Sequence, residues 1–213
     1  MDMPVIWAVV VGLLMTGHLV VGGVDLGVGL LLPTARRLRD RAGMLAAVPQ
    51  GWRGPSLILG AAALLVWALA SEQFMHIWPA LALPVLGMAA ALALRTWAVL
   101  HSWSQTRWGG AWGTAFCLGS MAAGFCQGVV LGTVIAVLGQ ADNGAQSDWM
   151  CSVTPLAGVV GVTMVVAEGF LAALWLWRTT TGDLQQRMRY FAGGLGLGAL
   201  ALTGMLAVLL RGT

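Results

Sequence analysis

Apolar residues run in long stretches along this chain, and polar residues collect in the short gaps between them. A helix needs roughly 20 apolar residues to cross a hydrocarbon layer of ~30 Å. Six stretches are predicted to serve: 4–32, 55–70 (short, expected to extend upstream), 78–100, 112–138, 153–177 and 191–210. Open sheet edges go unsatisfied in lipid, so these spans are predicted to be helices. The gaps leave no room for a linker or a second unit. The fold class predicted is all-α, a polytopic transmembrane bundle of about six spans, with residues 1–213 forming a single membrane domain.

Composition narrows the class further. Only 9% of the residues are charged and 59% are hydrophobic, against about 25% charged in a typical soluble domain. The net charge of +3 is too sparse for a phosphate-tracking surface, so no nucleic-acid partner is expected. Membrane lipid is. Neither Lys nor Arg precedes the first apolar run and no A-x-A site follows it, so that run is expected to be a retained span.

Every positive side chain is an arginine, and their placement sets the orientation. Arg36, Arg37, Arg39, Arg41 and Arg53 follow the first span; Arg95 and Arg107 lie at or after the third; Arg178, Arg187 and Arg189 follow the fifth. The alternate gaps carry Glu72, Asp142 and Asp148, and only Arg211 falls on that side. Ten of the 11 arginines thus share a side, which places both termini away from the cytoplasm. The RRLRDR stretch is expected to form a short surface helix facing lipid headgroups. Trp7, Trp78, Trp112, Trp149, Trp175 and Trp177 lie near span ends and read as an interfacial belt.

Small residues mark packing faces. Ser120, Gly124, Gly128 and Gly132 form a small-xxx-small row in the fourth span, with shorter pairs at Gly23 and Gly27 and at Gly194 and Gly198. Cys117, Cys126 and Cys151 form no CxxC, and the first two are expected to face opposite ways on one helix.

Ionisable groups at membrane depth cost roughly 2.5–3.5 kcal/mol each on insertion scales, so each needs a reason. Asp25 lies among Gly22, Gly23, Gly27 and Gly29, with His18 seven residues earlier on the same helical face. Two readings stay open for it: a proton-relay or cofactor-contact position, or a structural carboxylate that serves backbone groups or pairs with an arginine. Glu168 is the second such carboxylate, and Gln127 reads as an interhelical hydrogen-bonding residue. Arg95 and His101 sit toward the cytoplasmic end of the third span, where snorkelling is expected to carry the Arg95 charge to water. His18 is a weak candidate haem ligand, because His76 and His101 are predicted at other depths. No metal site and no self-contained catalytic motif is present: HExxH, GxSxG, Walker A and the dinucleotide fingerprint are all missing.

The chain resembles subunit II of the cytochrome bd quinol oxidases, especially the cyanide-insensitive branch. MPVIWAVVVG and VDLGVGLLLP carry the first-helix signature with its glycine-flanked Asp. VPQGWRGPSLIL is similar to a degraded PVWDGNE-type motif, and TRWGGAWG, FCQGVVLG, DWMCSVTPLAGVVG and WRTTTGDLQQRMR follow in family order. The resemblance implies a non-haem partner of the haem-bearing subunit I, in a bacterial inner-membrane complex that oxidises quinol and reduces dioxygen. Haem b and haem d are expected in that partner, and a structural quinone is a further candidate ligand. The chain is then a subunit of the oxidoreductase rather than a catalyst by itself, supporting assembly and proton or oxygen access. Asp25 and Trp52 carry over most directly; Arg95 matches a family Arg after span three, Gln127 the span-four Gln, and Glu168 a polar position in span five.

The departures are specific. Where the family carries Trp-Asp-Gly this chain has Trp52, Arg53 and Gly54, which replaces a carboxylate with the opposite charge. The family commonly has eight or more helices in two four-helix repeats, so this chain resembles its N-terminal part. Two other classes compete: a small proton-coupled secondary transporter, motivated by Asp25 and Glu168 although no inverted repeat is evident, and a structural or assembly protein that keeps the family fold.

Overall fold

The computed structural model describes residues 3–35, 37–48, 73–104, 111–139 and 149–211, together with residues 58, 60–62 and 65. Among the described residues the regular structure is entirely helical. Helices α1 (Met3–Leu31), α2 (Leu38–Ala47), α3 (Gln73–Ser104), α4 (Ala111–Gly139), α5 (Pro155–Thr179) and α6 (Gly182–Arg211) follow in order, with short 3-10 turns at Leu32–Thr34 and Trp149–Val153. All except α2 are long and apolar enough to cross a membrane. Five of the six predicted spans therefore stand as single helices. The second falls almost wholly outside the described residues; residues 58, 60–62 and 65 within it are helical.

Local sequence explains the boundaries. Pro33 terminates α1 into its 3-10 turn, since a proline lacks the N–H that another helical turn requires. Thr154 caps α5, its side-chain oxygen accepting from the Ala157 N–H at 3.2 Å, with Pro155 at the first helical position. At the far end of α5 the chain reverses through Thr180 and Thr181 into Gly182, whose φ of +70° suits a residue without a Cβ. This turn replaces the longer loop expected there. Arg187 and Arg189 consequently lie on the first turns of α6, where Asp183 complements the helix N-terminus.

Packing follows the small residues. The row on α4 lies against α1 and α5, and a Cβ added at Gly128 would come 2.6 Å from the Val160 carbonyl oxygen. At Gly132 it would come 2.7 Å from Ala157 Cα. Gly27 on α1 meets the backbone carbonyl of Glu168 on α5 with equally little space. Close backbone approach is what such rows permit in lipid, where water drives no association. On α6, Gly194 has open space and Gly198 only ordinary contact with Val166, so that pair makes no comparable seam. Helix α6 packs on α5 and leaves most of its surface outward.

The short helix expected around RRLRDR begins at Leu38 and runs to Ala47. It docks through the buried Met44 and through Trp175 on α5, whose indole N–H donates to the Ala47 carbonyl at 2.9 Å. Trp175 is thus a helix tether, whereas Trp78 and Trp177 are exposed as belt residues should be. The side chains of Trp7 and Trp149 lie outside the described set.

Candidate functional site

Among the described residues, the buried polar side chains include three ionisable groups and one amide on four different helices: Asp25 on α1, Arg95 on α3, Gln127 on α4 and Glu168 on α5. Their relative exposures are 8%, 8%, 9% and 2%, in a class of residues that folding almost never buries unless paired.

Asp25 and Arg95 answer each other. Arg95 donates from Nη1 to Asp25 Oδ2 at 2.6 Å and from Nη2 to the Asp25 backbone carbonyl at 2.8 Å. One guanidinium therefore grips both the side chain and the main chain of one residue, a geometry a point charge such as Lys would not reproduce. The ring of Phe116 on α4 lies under the guanidinium, 4.6 Å from Cζ to the centroid. Gly119 makes the approach possible, since a Cβ there would come 2.9 Å from the Ala91 carbonyl and 3.2 Å from Arg95 Cβ.

Arg95 does not snorkel. The sequence places it only six residues before His101, close enough to the helix end for a long side chain to reach water. A buried carboxylate across the helix interface offers a stronger partner than the headgroup region, and the side chain turns inward to it. Of the two readings open for Asp25, pairing with an arginine describes its geometry. Phe116 is the contributor that sequence reasoning missed; its only signal is a position three residues before Gly119 on α4.

Glu168 is different. Its carboxyl group sits over Gly124, where a Cβ would run into Oε2, and its Cγ lies 3.4 Å from the Cβ position of Gly23. Among the described residues neither carboxyl oxygen has a hydrogen-bond partner, and neither do Gln127 Nε2 and Arg95 Nε. An ionised carboxylate left bare in such surroundings is prohibitively costly. The group is chemically suited to carry a proton or to accept from a donor that enters the bundle. Arg95 is within electrostatic reach of it.

Together the four form a ladder along one face of α4. Arg95 and Asp25 lie level with Phe116 to Ser120, Glu168 lies level with Gly124, and Gln127 follows one turn later. From Phe116 to Gln127 is about 16 Å of helix axis, roughly half the hydrocarbon core. At the arginine-bearing end His101 is stacked between Trp97 and Trp112, with ring centroids 4.5 and 4.9 Å away.

The remaining candidates fall elsewhere. His18 is half-buried two turns before Asp25, and a Cβ on Gly60 would come 3.0 Å from its imidazole. Trp52, with the neighbouring Arg53, lies outside the described residues. Cys117 donates to the Leu30 carbonyl on α1 while Cys126 lies 3.1 Å from the Cβ position of Gly87 on α3, so the two do face different helices.

A haem does not fit between α1, α4 and α5. The backbones of α1, α4 and α5 approach too closely at Gly27, Gly128 and Gly132 for a macrocycle to lie between them. No cluster of three or more His, Cys, Asp or Glu that would suit a metal ion occurs among the described residues.

Comparison with known proteins returns one family. The model of the cytochrome bd terminal oxidase subunit II family matches residues 3–211. No curated protein matches the chain significantly.

Proposed function

The chain belongs to the cytochrome bd terminal oxidase subunit II family, and from that premise we propose that it is the non-haem membrane subunit of a bd-type quinol oxidase in a bacterial inner membrane. Its partner is a haem-bearing subunit I, which supplies the haems and the site of quinol oxidation. This chain contributes the scaffold that holds the complex together and a polar route along α4 that serves proton access. The match over nearly the whole chain supports the first part.

The bare Glu168 carboxyl carries the second. In this reading a proton arriving from the arginine-bearing side meets the Asp25–Arg95 pair first. That pair is held in place by its two hydrogen bonds, and its role is to set the field felt by Glu168. Glu168 is the group that takes up and releases the proton, because it is the carboxyl group on the ladder whose two oxygens have no hydrogen-bond partner among the described residues. Gln127 presents the next donor, one turn beyond Gly124. The partner's haems would supply the chemistry of oxygen reduction, and that reaction takes up the protons.

Two measurements test the proposal. The solubilised chain should co-purify with a haem-containing partner showing a bd-type absorption spectrum, and a haem-free preparation that takes up solute in proteoliposomes would overturn this in favour of a transporter. In the assembled complex Glu168→Gln, which keeps shape but cannot ionise, should lower quinol-oxidase turnover at least tenfold with haem content unchanged. Unaltered turnover would remove Glu168 from the route and leave the chain a structural subunit.

A further inference from the structure

Helix α2 and the α5–α6 turn form a rigid collar at the arginine-bearing end of the bundle. Arg187 on α6 donates to Asp40 Oδ2 on α2 at 2.7 Å and to the Thr34 carbonyl after α1 at 3.4 Å. Gln185 donates to the Trp177 carbonyl at 3.1 Å, and Trp175 tethers the end of α2. Four helix ends are thereby locked together.

The charge left over is unbalanced. Among the described residues this collar holds Arg37, Arg39, Arg41, Arg178, Arg187 and Arg189 against Asp40 and Asp183, a net of +4. Asp40 is already taken by Arg187. Arg41 is occupied by the Ala35 carbonyl. Arg37, Arg39 and Arg178 are exposed and make no ion pair among the described residues. Arg189 lies over the Trp177 ring at 5.9 Å. Exposed apolar side chains stand beside these charges: Leu38 next to Arg37 and Arg39, and Trp177, Tyr190 and Phe191 next to Arg178 and Arg189.

We propose that this collar binds anionic phospholipid at two places, one headgroup phosphate facing Arg37 and Arg39 with an acyl chain along Leu38, and another facing Arg178 and Arg189 with an acyl chain along Trp177 and Phe191. Arginine presents a planar fork of donors that matches phosphate oxygens, and basic residues just outside a span attract the anionic leaflet. The pairing of unpaired arginines with adjoining exposed apolar rings selects a lipid over a soluble anion. A free phosphate would use the charges and gain nothing from Trp177 or Leu38. The collar's internal bonds fix the arginines' backbones before the lipid arrives, so binding need not order them.

Native mass spectrometry of the purified complex tests this, with phosphatidylglycerol and phosphatidylethanolamine of identical acyl chains titrated together. The unaltered protein should retain phosphatidylglycerol preferentially. Replacing Arg37 and Arg39 by Gln, or Arg178 and Arg189 by Gln, should weaken that preference by about fivefold for each arginine removed. Lys at the same positions should restore most of it, which separates lost charge from a damaged fold. Inorganic phosphate should not displace the lipid at matched concentration. Equal retention of the two lipids, an unchanged preference in both Gln variants, or displacement by inorganic phosphate would each overturn the proposal.

Discussion

The Asp25–Arg95 pair makes a quantitative prediction about what a buried ion pair does for this bundle. Removing one partner leaves the other as an uncompensated charge, at a cost of about 3–5 kcal/mol. Asp25→Asn should fall at the lower end, about 3 kcal/mol, because Arg95 keeps its bond to the Asp25 backbone carbonyl and the amide oxygen still accepts. Arg95→Gln should fall at the upper end, since it strands the Asp25 carboxylate in the same interior as Glu168. The double variant carries no stranded charge there and should recover more than half of the larger loss. A fluorogenic maleimide can follow the melt, because Cys117 and Cys126 are free and partly buried and become reactive as the helices separate. At roughly 2–4 °C per kcal/mol for a chain of this size, Asp25→Asn should melt about 6–12 °C lower. Single variants that melt within 2 °C of the parent would refute the reasoning. So would a double variant whose loss equals the sum of the two singles, which is the signature of uncoupled sites.

Other residues give sharper local tests. Glu168→Gln should change stability by less than about 1 kcal/mol in the same melt, because a carboxamide fits the space of a proton-bearing carboxyl and replaces one neutral polar group lacking a partner with another. A larger loss would mean the group is ionised and paired. Gly124→Ala drives a methyl group into the Glu168 carboxyl and should cost about 1–3 kcal/mol; adding Glu168→Ala should recover that increment, and failure to recover would place the clash elsewhere. Gly27→Ala should cost more than Gly124→Ala, since it meets the Glu168 backbone carbonyl, which cannot rotate away as a side chain can. Trp175→Phe removes the bond to the Ala47 carbonyl and should loosen α2 by about 1 kcal/mol; faster tryptic cleavage after Arg39 and Arg41 is the readout, and an unchanged rate would refute the tether.

Much of this was legible from pattern alone, and the boundary of what was legible has a physical cause. Span positions follow from the length of apolar runs, which the bilayer sets, and five of the six stand as predicted to within a few residues apart from the start of α6. That helix begins at Gly182 because a glycine with positive φ reverses the chain in two residues, and helical propensity then carries QQRMR into the helix before the apolar run starts. The row from Ser120 to Gly132 was visible as a repeat of four, and its partners Val160 and Ala157 were not, since a glycine row does not specify the helix that meets it.

The inward turn of Arg95 exposes the deeper limit. From sequence, an arginine near a span end and an aspartate in the middle of another span are independent facts, each with its own ordinary explanation. Their meeting depends on the relative rotation of α1 and α3, which is fixed by where backbones approach closest, at Gly119 for α3 and α4 and at Gly27 and Gly29 for α1. Small residues therefore decide which charges meet. The same logic explains why Glu168 is left bare: Gly124 and Gly23 make space for its carboxyl without bringing a donor to it. A helix face chosen for close packing sets one ion pair and leaves one carboxyl without a hydrogen-bond partner among the described residues, and that carboxyl is the one on which the proposed proton route rests.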